Sequence, residues 1–311
     1  MRGSIIAGFL SFLSLIPFTS QGQDVNARVK ALYLQAYAAR NGNLDSAFYL
    51  INQALALMEE VHDKKMASAT YSVTGVLYKN QGDYAKALEY QLKGLKLREQ
   101  LRNDTLIANS CSNIGAVYYL QGNLKESLRF YKRCAHLREK HDMQVQLTPI
   151  YCDLGNVYSE LYRDTEAEDS ALWAYKKALK YTDTLEVTRE NANLYLNLGI
   201  LYRDRNEPLQ SGIYLRKALA LQELMEDYRG MANAYHNQGL LDDEAKNHEK
   251  AREKYHKALK LTYRSDYLVK RLDVIQSLML SHAFSCNKDS TEKYFNHFKF
   301  LNDTLNKIKT D

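Results

Sequence analysis

The side chains with the clearest chemical pattern are polar groups that recur every 40 to 44 residues. One set comprises Asn113, Asp153, Asn197 and Asn237. A second set stands four residues earlier in three repeats, at Asn109, Asn193 and Asn233. An amide offers both a donor and an acceptor, and residues four apart lie on one face of a helix. This ladder of amides predicts one of two roles. The amides pair with a peptide backbone independently of the peptide's sequence, or they form hydrogen bonds that join neighbouring helices.

Patterns for catalysis and metal binding are sparse. The sequence contains no Gly-rich phosphate loop, no His-Glu-x-x-His and no Gly-x-Ser-x-Gly. One arrangement has suitable residue types, with His236 as a base and Asp242 or Asp243 to orient it. Such groups often fall near one another by chance on helices, so we predict no catalytic residue, no cofactor and no metal site. The four cysteines form no Cys-x-x-Cys motif and fall at positions typical of a helical core.

The elements that position the amides repeat along the chain. One recurring position, usually glycine, falls at Gln35, Gly75, Gly115, Gly155, Gly199, Gly239 and Ser281. Another, usually a small residue, falls at Ala54, Gly94, Cys134, Ala178, Ala218, Ala258 and Phe300. A repeat of about 40 residues predicts pairs of antiparallel helices, each of which buries its apolar face against its neighbours only.

The recurring glycines need a reason in packing. A glycine inside a helix costs about 1 kcal/mol relative to alanine, so we expect each one to permit close approach of a second helix. The expected partners are the small residues at Ala47, Ala87, Ser127, Ala171, Ser211 and Ala251. Three other glycines, Gly42, Gly82 and Gly122, are expected to end first helices at positive φ.

These residues resemble the tetratricopeptide repeat family, and the resemblance covers residues 24–311. It implies an all-α fold, a right-handed α-solenoid of about seven antiparallel helix pairs. The helices should be long, because the usual family period is about 34 residues. The predicted repeats are about 25–63, 64–103, 104–143, 144–183, 184–227, 228–266 and 267–311. Repeat four carries a four-residue insertion at Arg163–Glu166, which we expect to form a loop.

The resemblance also implies a binding surface, because in this family the first helices line a concave groove that often holds a peptide. It places Asn109, Asn113, Asp153, Asn156, Asn193, Asn197, Arg203, Asn233 and Asn237 in this groove. Arg203 is the only obvious cation at the groove positions considered. We therefore do not expect the groove to bind a free carboxyl terminus.

The N-terminus predicts export. Residues 1–22 have the pattern of a signal peptide, with Arg2, an apolar run over Ile5–Ile16 and small residues at Ser20 and Gly22. Cleavage near Gly22 would leave a periplasmic or extracellular chain, residues 23–311. The alternative is an uncleaved anchor, for which the apolar run is short. We predict no membrane span in the mature chain.

Charge and architecture narrow the class of partner. The net charge of +5 arises from 42 basic and 37 acidic residues that are interspersed, which does not favour nucleic-acid binding. The first hypothesis is therefore an exported, non-enzymatic scaffold for an unidentified protein or peptide. The second is an extracytoplasmic sensor component of a bacterial signalling system, since signal and repeats resemble the sensor regions of kinases and transcription regulators. This second hypothesis is expected to require a separate membrane component.

Overall fold

A computed structural model describes residues 21–161, 168–182 and 186–310 of the chain. All regular secondary structure in these ranges is helical. A 3-10 helix, Met58–Glu60, follows the second of fourteen α-helices. Their bounds are α1 Gln21–Ala39, α2 Leu44–Ala56, α3 Lys64–Gln81, α4 Tyr84–Gln100, α5 Asp104–Leu120, α6 Leu124–Lys140, α7 Gln144–Leu161, α8 Glu168–Tyr181, α9 Arg189–Asp204, α10 Pro208–Leu224, α11 Tyr228–Glu244, α12 His248–Arg264, α13 Leu268–Phe284 and α14 Lys288–Thr310.

The helices form seven antiparallel pairs, in which each odd-numbered helix packs on the next. The pairs group into two compact units that meet in sequence at Asp142 and Met143. In the first unit, α3 packs against α1, α2, α4 and α5. In the second unit, α9 packs against α7, α8, α10 and α11. In both units the helices thus pack on their neighbours in the repeat order, and the predicted all-α solenoid fold is confirmed.

Short polar side chains cap the starts of several helices. Asn43 Oδ1 accepts a hydrogen bond from the backbone N–H of Ser46 at 2.9 Å, which caps α2.

Gly82 and Gly122 end their first helices at φ of 90° and 73°, as predicted. Gly42 is not among the positive-φ residues of the described chain. Its turn closes instead through the N–H of Asn43 on the carbonyl of Ala39 at 3.0 Å, so that prediction is wrong.

Side chains of the second helices lie against the recurring glycines. A Cβ at Gly155 would lie 2.4 Å from the ring of Tyr175, and one at Gly239 would lie 2.4 Å from the ring of Tyr255. Ser211, an expected partner, donates its hydroxyl to the carbonyl oxygen of the glycine in its own repeat at 2.8 Å. The groups closest to Gly155 and Gly239 are therefore rings rather than the small residues that the sequence suggested.

The last repeat keeps the period of 40 residues, since α13 and α14 begin 40 residues after α11 and α12. The equivalent positions are therefore Met279 and Phe298. The predicted equivalents, Ser281 and Phe300, are wrong by two residues. Phe298 packs on the core of the repeat, whereas Phe300 is 68% exposed. The larger residues at these two positions obscured the register in the sequence.

Two predicted features fall largely outside the described residues. They are the signal peptide, of which only Gln21 and Gly22 are described, and the loop at Arg163–Glu166. Across the described ranges, none of the helices combines the length and apolar character needed to cross a bilayer. The four cysteines are free thiols, of which only Cys286 is exposed.

Candidate functional site

Helices α7 and α9 of the second unit bring ladder residues together around a cavity of about 330 Å³. Asn197 Nδ2 donates to Asn156 Oδ1 at 2.8 Å. The same oxygen accepts from the hydroxyl of Tyr175 at 2.7 Å. These bonds hold the Asn156 amide in one orientation across three helices. The lining comprises Pro149, Cys152, Asp153, Asn156, Glu190, Asn193 and Asn197.

Several polar groups of this cavity are open to a ligand. Asn193 is exposed, and its amide makes no hydrogen bond with any described residue. Asn156 Nδ2 and Asn197 Oδ1 likewise lack partners within the described ranges, because their known bonds use the opposite atoms. The cavity therefore presents fixed donors and acceptors, the chemistry that a peptide backbone requires.

The ladder residues of α9 and α11 are arranged differently. Arg203 Nη1 donates to Asn237 Oδ1 at 2.6 Å, and Asn237 Nδ2 donates to the carbonyl oxygen of Asn233 at 2.9 Å. Arg203 also lies 2.7 Å from Asp204 and 3.6 Å from Glu244. Asn237 is buried, and both ends of its amide are occupied. Here the amide joins neighbouring first helices, as the structural alternative predicted.

The first unit contains a cavity of about 440 Å³ that includes the ladder residues Asn109 and Asn113. Asn113 makes only long hydrogen bonds, at 3.4 Å to Ser72 and 3.5 Å to Gln91. The described lining residues include four cations and no carboxylate. These cations are Arg40, Lys79, Arg98 and Arg138.

Sequence reasoning missed the cationic cavity because it considered positions on first helices only. Arg98 and Arg138 belong to the second helices α4 and α6. A signal was present in the repeat, four residues after the late small position. This position is Arg98, Arg138, Thr182, Gln222 and Thr262 in repeats two to six.

The acid–base arrangement suggested by the sequence does not form. His236 Nε2 lies 2.9 Å from the hydroxyl of Ser277 rather than beside a carboxylate. The Asp243 carboxylate accepts hydrogen bonds from Tyr255 at 2.8 Å and Ser281 at 3.0 Å, and it contacts His248 at 2.9 Å. Asp243 thus supports packing between α11, α12 and α13. The described residues include no cluster of His, Cys, Asp and Glu suited to a metal ion.

His236 should make the second unit sensitive to acid. Burial lowers its pKa to about 3, and the nearby cations Lys270 and Arg203 act in the same direction, while Asp273 opposes them. Below pH 6.5 the unfolded chain protonates this histidine but the folded chain does not, so stability falls as pH falls toward 3. Between pH 7 and 5, wild type should lose about 2 kcal/mol more than His236→Gln. Urea unfolding at both pH values measures this difference, and equal losses would contradict it.

Stacked helix pairs with polar cavities between first helices define a class of helical-repeat proteins. The model of the family described as Tetratricopeptide repeat matches residues 31–100, 68–140 and 190–263, more than half of the chain. The chain therefore belongs to the tetratricopeptide repeat family. This fold is a non-catalytic scaffold typical of protein–protein interaction.

Solved structures share the fold. The apo form of RapI superimposes with a TM-score of 0.72 at 12% identity, covering 90% of this chain and 99% of RapI. The apo form of the quorum sensor NprR from B. thuringiensis gives 0.62 at 14% identity, with 89% and 88% covered. A STAND protein with a tetratricopeptide repeat sensor, PH0952 from Pyrococcus horikoshii, gives 0.64 at 15% identity, with 89% and 41% covered. No curated protein sequence matches the chain.

Proposed function

We propose that this protein is an exported scaffold that binds an extended peptide segment of a partner protein on α7 and α9. The observation that carries the proposal is the Asn156–Asn197 pair, which keeps one donor and one acceptor without a partner among the described residues and lines a cavity together with the open amide of Asn193. Among the described residues, the lining of this cavity includes Asp153 and Glu190 and no cationic side chain. These carboxylates favour a peptide that carries a positive charge near this site.

Fixed amides favour binding because little freedom is lost when the ligand arrives. The hydroxyl of Tyr175 and the amide of Asn197 already hold Asn156 in place. A peptide backbone supplies alternating N–H and C=O groups, so each open amide can make up to two hydrogen bonds with it. Preorganisation of this kind raises affinity by lowering the entropic cost of association. Such pairing does not depend on the side chains of the peptide.

Selection from a random hexapeptide library, acetylated and amidated at its ends, tests the proposal. Peptides that the protein retains should bind Asn193→Ala about tenfold more weakly. The substitution removes two hydrogen bonds worth about 1 kcal/mol each, and water replaces part of that free energy. Fluorescence anisotropy with a labelled, selected peptide measures the dissociation constant. Asn296→Ala is the matched control, since Asn296 is also an exposed helical asparagine but lies on α14, and it should leave the constant unchanged.

Two outcomes would contradict peptide binding at this surface. The library could yield no peptide above the background of an empty resin. Alternatively, selected peptides could bind wild type and Asn193→Ala equally, which would remove the α7–α9 cavity from the site. Asn193 is exposed, and its substitution breaks no hydrogen bond with a described residue. A loss of binding would therefore reflect the lost contact with the peptide rather than a change in the fold.

A second candidate function is that of a sensor component. It is favoured by similar folds in proteins described as a quorum sensor and as a tetratricopeptide repeat sensor. A sensor must change its affinity for a downstream partner when its ligand binds. Crosslinking in intact cells, with and without a selected peptide, would distinguish the two functions. Crosslinking to a membrane protein that depends on the peptide favours the sensor. Crosslinking that is the same with and without the peptide favours the scaffold.

Export is part of the proposal and has its own test. Cleavage after Gly22 would give a mature chain that starts at Gln23. N-terminal sequencing of protein purified from the extracytoplasmic fraction should find this terminus. An intact Met1 terminus, or a protein confined to the cytoplasm, would contradict export.

A further inference from the structure

We propose that the first unit contains an oxyanion site in which Arg98 binds a carboxylate group of a ligand. The site is the cavity of about 440 Å³ between the first helices α1, α3 and α5, with Arg98 and Arg138 from the second helices. The proposal extends the peptide-binding function. Only its assignment of the carboxylate to a bound peptide rests on that function.

Arg98 is a buried cation without a carboxylate partner. The residue is buried, with 6% of its surface exposed. The guanidinium donates to Ser110 Oγ at 2.8 Å and to the carbonyl oxygen of Leu106 at 3.2 Å, and Nε lies 3.5 Å from Ser68 Oγ. These oxygens are neutral, and Nη2 has no partner within the described ranges. Burial accordingly lowers the pKa of Arg98, with no acidic group to offset it.

Two surface arginines of the same unit are paired with acids. Arg133 lies 2.6 Å from Glu99, and Arg129 lies 2.6 Å from Glu126. Both pairs are on the surface, where water already solvates the charge. Arg98, in contrast, is buried and has only neutral partners among the described residues. Removing a charge from water without an opposite charge is costly, so an anionic ligand at Arg98 would recover part of that cost.

The surroundings of Arg98 reinforce the positive charge. Arg40, Lys79 and Arg138 line the same cavity, and the described lining residues include no aspartate or glutamate. Arg40 is held by its hydrogen bond to the carbonyl oxygen of Tyr37 at 2.6 Å and by stacking on that ring at 3.7 Å. The positive electrostatic potential of the cavity therefore attracts anions, in addition to the direct hydrogen bonds that Arg98 can donate.

The repeat shows that arginine is not needed at this position for packing. The equivalent residues in the second unit are Thr182, Gln222 and Thr262, and Gln222 and Thr262 are fully buried. Neutral residues thus serve the same place in the helix pair. The cavity of the second unit is lined by Asp153 and Glu190 instead of cations. The two units differ in charge where their folds agree, as expected for different ligand groups.

The chemistry of the lining favours a carboxylate attached to a polar molecule. The planar guanidinium of arginine matches the two oxygens of a carboxylate. Asn80, Asn109 and Asn113 line the same cavity and can bind the uncharged amide groups that accompany an acidic residue. The volume exceeds that of one carboxylate, so the group would enter as part of a larger ligand. The carboxylate belongs either to an acidic residue of a bound peptide or to a free dicarboxylate.

Calorimetric titration with glutarate tests the site without any peptide. Glutarate should bind wild type at fixed ionic strength, and glutaramide, its neutral analogue, should not. Arg98→Gln introduces the residue that the chain itself has at position 222, and it should weaken glutarate binding at least tenfold. Arg129→Gln removes a surface arginine and should change nothing. Arg40→Gln, at a partly exposed position, should weaken binding about threefold and covers the case in which Arg98→Gln misfolds.

Three results would overturn the proposal. They are the absence of glutarate binding to wild type, equal binding to Arg98→Gln that has native helicity, and binding of inorganic phosphate in place of glutarate. Selection from the hexapeptide library then identifies the source of the carboxylate. Enrichment of Asp and Glu by wild type but not by Arg98→Gln assigns it to a peptide. Glutarate binding without that enrichment assigns it to a free acid, and the Asn193→Ala result reports on the peptide function separately.

Discussion

Replacing Gly239 by alanine is expected to destabilise the second unit by about 2 kcal/mol. The added methyl group would lie 2.4 Å from the ring of Tyr255, well inside normal contact distance. Tyr255 is fully buried, and its hydroxyl is bonded to Asp243 at 2.8 Å, so the ring has little room to withdraw. The strain should exceed the gain of about 1 kcal/mol in helix propensity.

A second glycine supplies the matched control. A methyl group at Gly212 would meet only the end of the flexible Arg216 side chain at 3.3 Å and Leu241 at 3.8 Å. Gly212→Ala should therefore stabilise α10 by up to about 1 kcal/mol. Urea unfolding followed by circular dichroism measures both variants, and hydrogen exchange locates the loss in α11 and α12. Equal effects of the two substitutions would contradict the proposed role of Gly239.

Removing the carboxylate of Asp243 should cost the second unit about 3 kcal/mol. Asp243→Ala deletes the acceptor of Tyr255 and Ser281, at 2.8 and 3.0 Å, and the partner of His248 at 2.9 Å. Tyr255 and Ser281 are fully buried, so water cannot readily replace the lost acceptor. A buried hydroxyl left without its partner costs about 1 to 3 kcal/mol.

The adjacent aspartate is the control for this prediction. Asp242 has only a long ion pair, 3.9 Å to Lys254, in a partly exposed position. Asp242→Ala should therefore cost less than about 1 kcal/mol. Free energies of unfolding from urea titration compare the two variants. A cost for Asp242→Ala as large as that for Asp243→Ala would show that Asp243 has no special structural role.

Much of the fold could be predicted because a repeat constrains many positions together. The 40-residue spacing predicts the helix pairs. Spacing does not predict which side chain fills the gap that a glycine leaves. At Gly155 that group is the ring of Tyr175, which lies 20 residues later on the second helix of the pair.

The candidate site was less predictable, because identical residues at equivalent positions have different neighbours. Asn237 is bound at both ends, since Arg203 lies opposite it. Asn197 retains an open acceptor, since it faces Asn156 instead. The sequence left both interpretations of the ladder open. In the structure Asn237 joins neighbouring helices, and peptide binding at Asn197 is our proposal. Arg98 escaped prediction because a buried arginine on a second helix looks like an ordinary surface cation in the sequence.

The central claim, that the α7–α9 amides bind a peptide through its backbone, is tested most directly by methylating the backbone nitrogens of a selected peptide one at a time. Methylation removes an N–H donor and leaves every side chain unchanged. We predict that at least one methylated form binds wild type tenfold or more weakly, and that Asn193→Ala reduces this difference. If every methylated form binds as well as the parent, while alanine substitution of a peptide side chain abolishes binding, recognition lies in the side chains and the account is wrong.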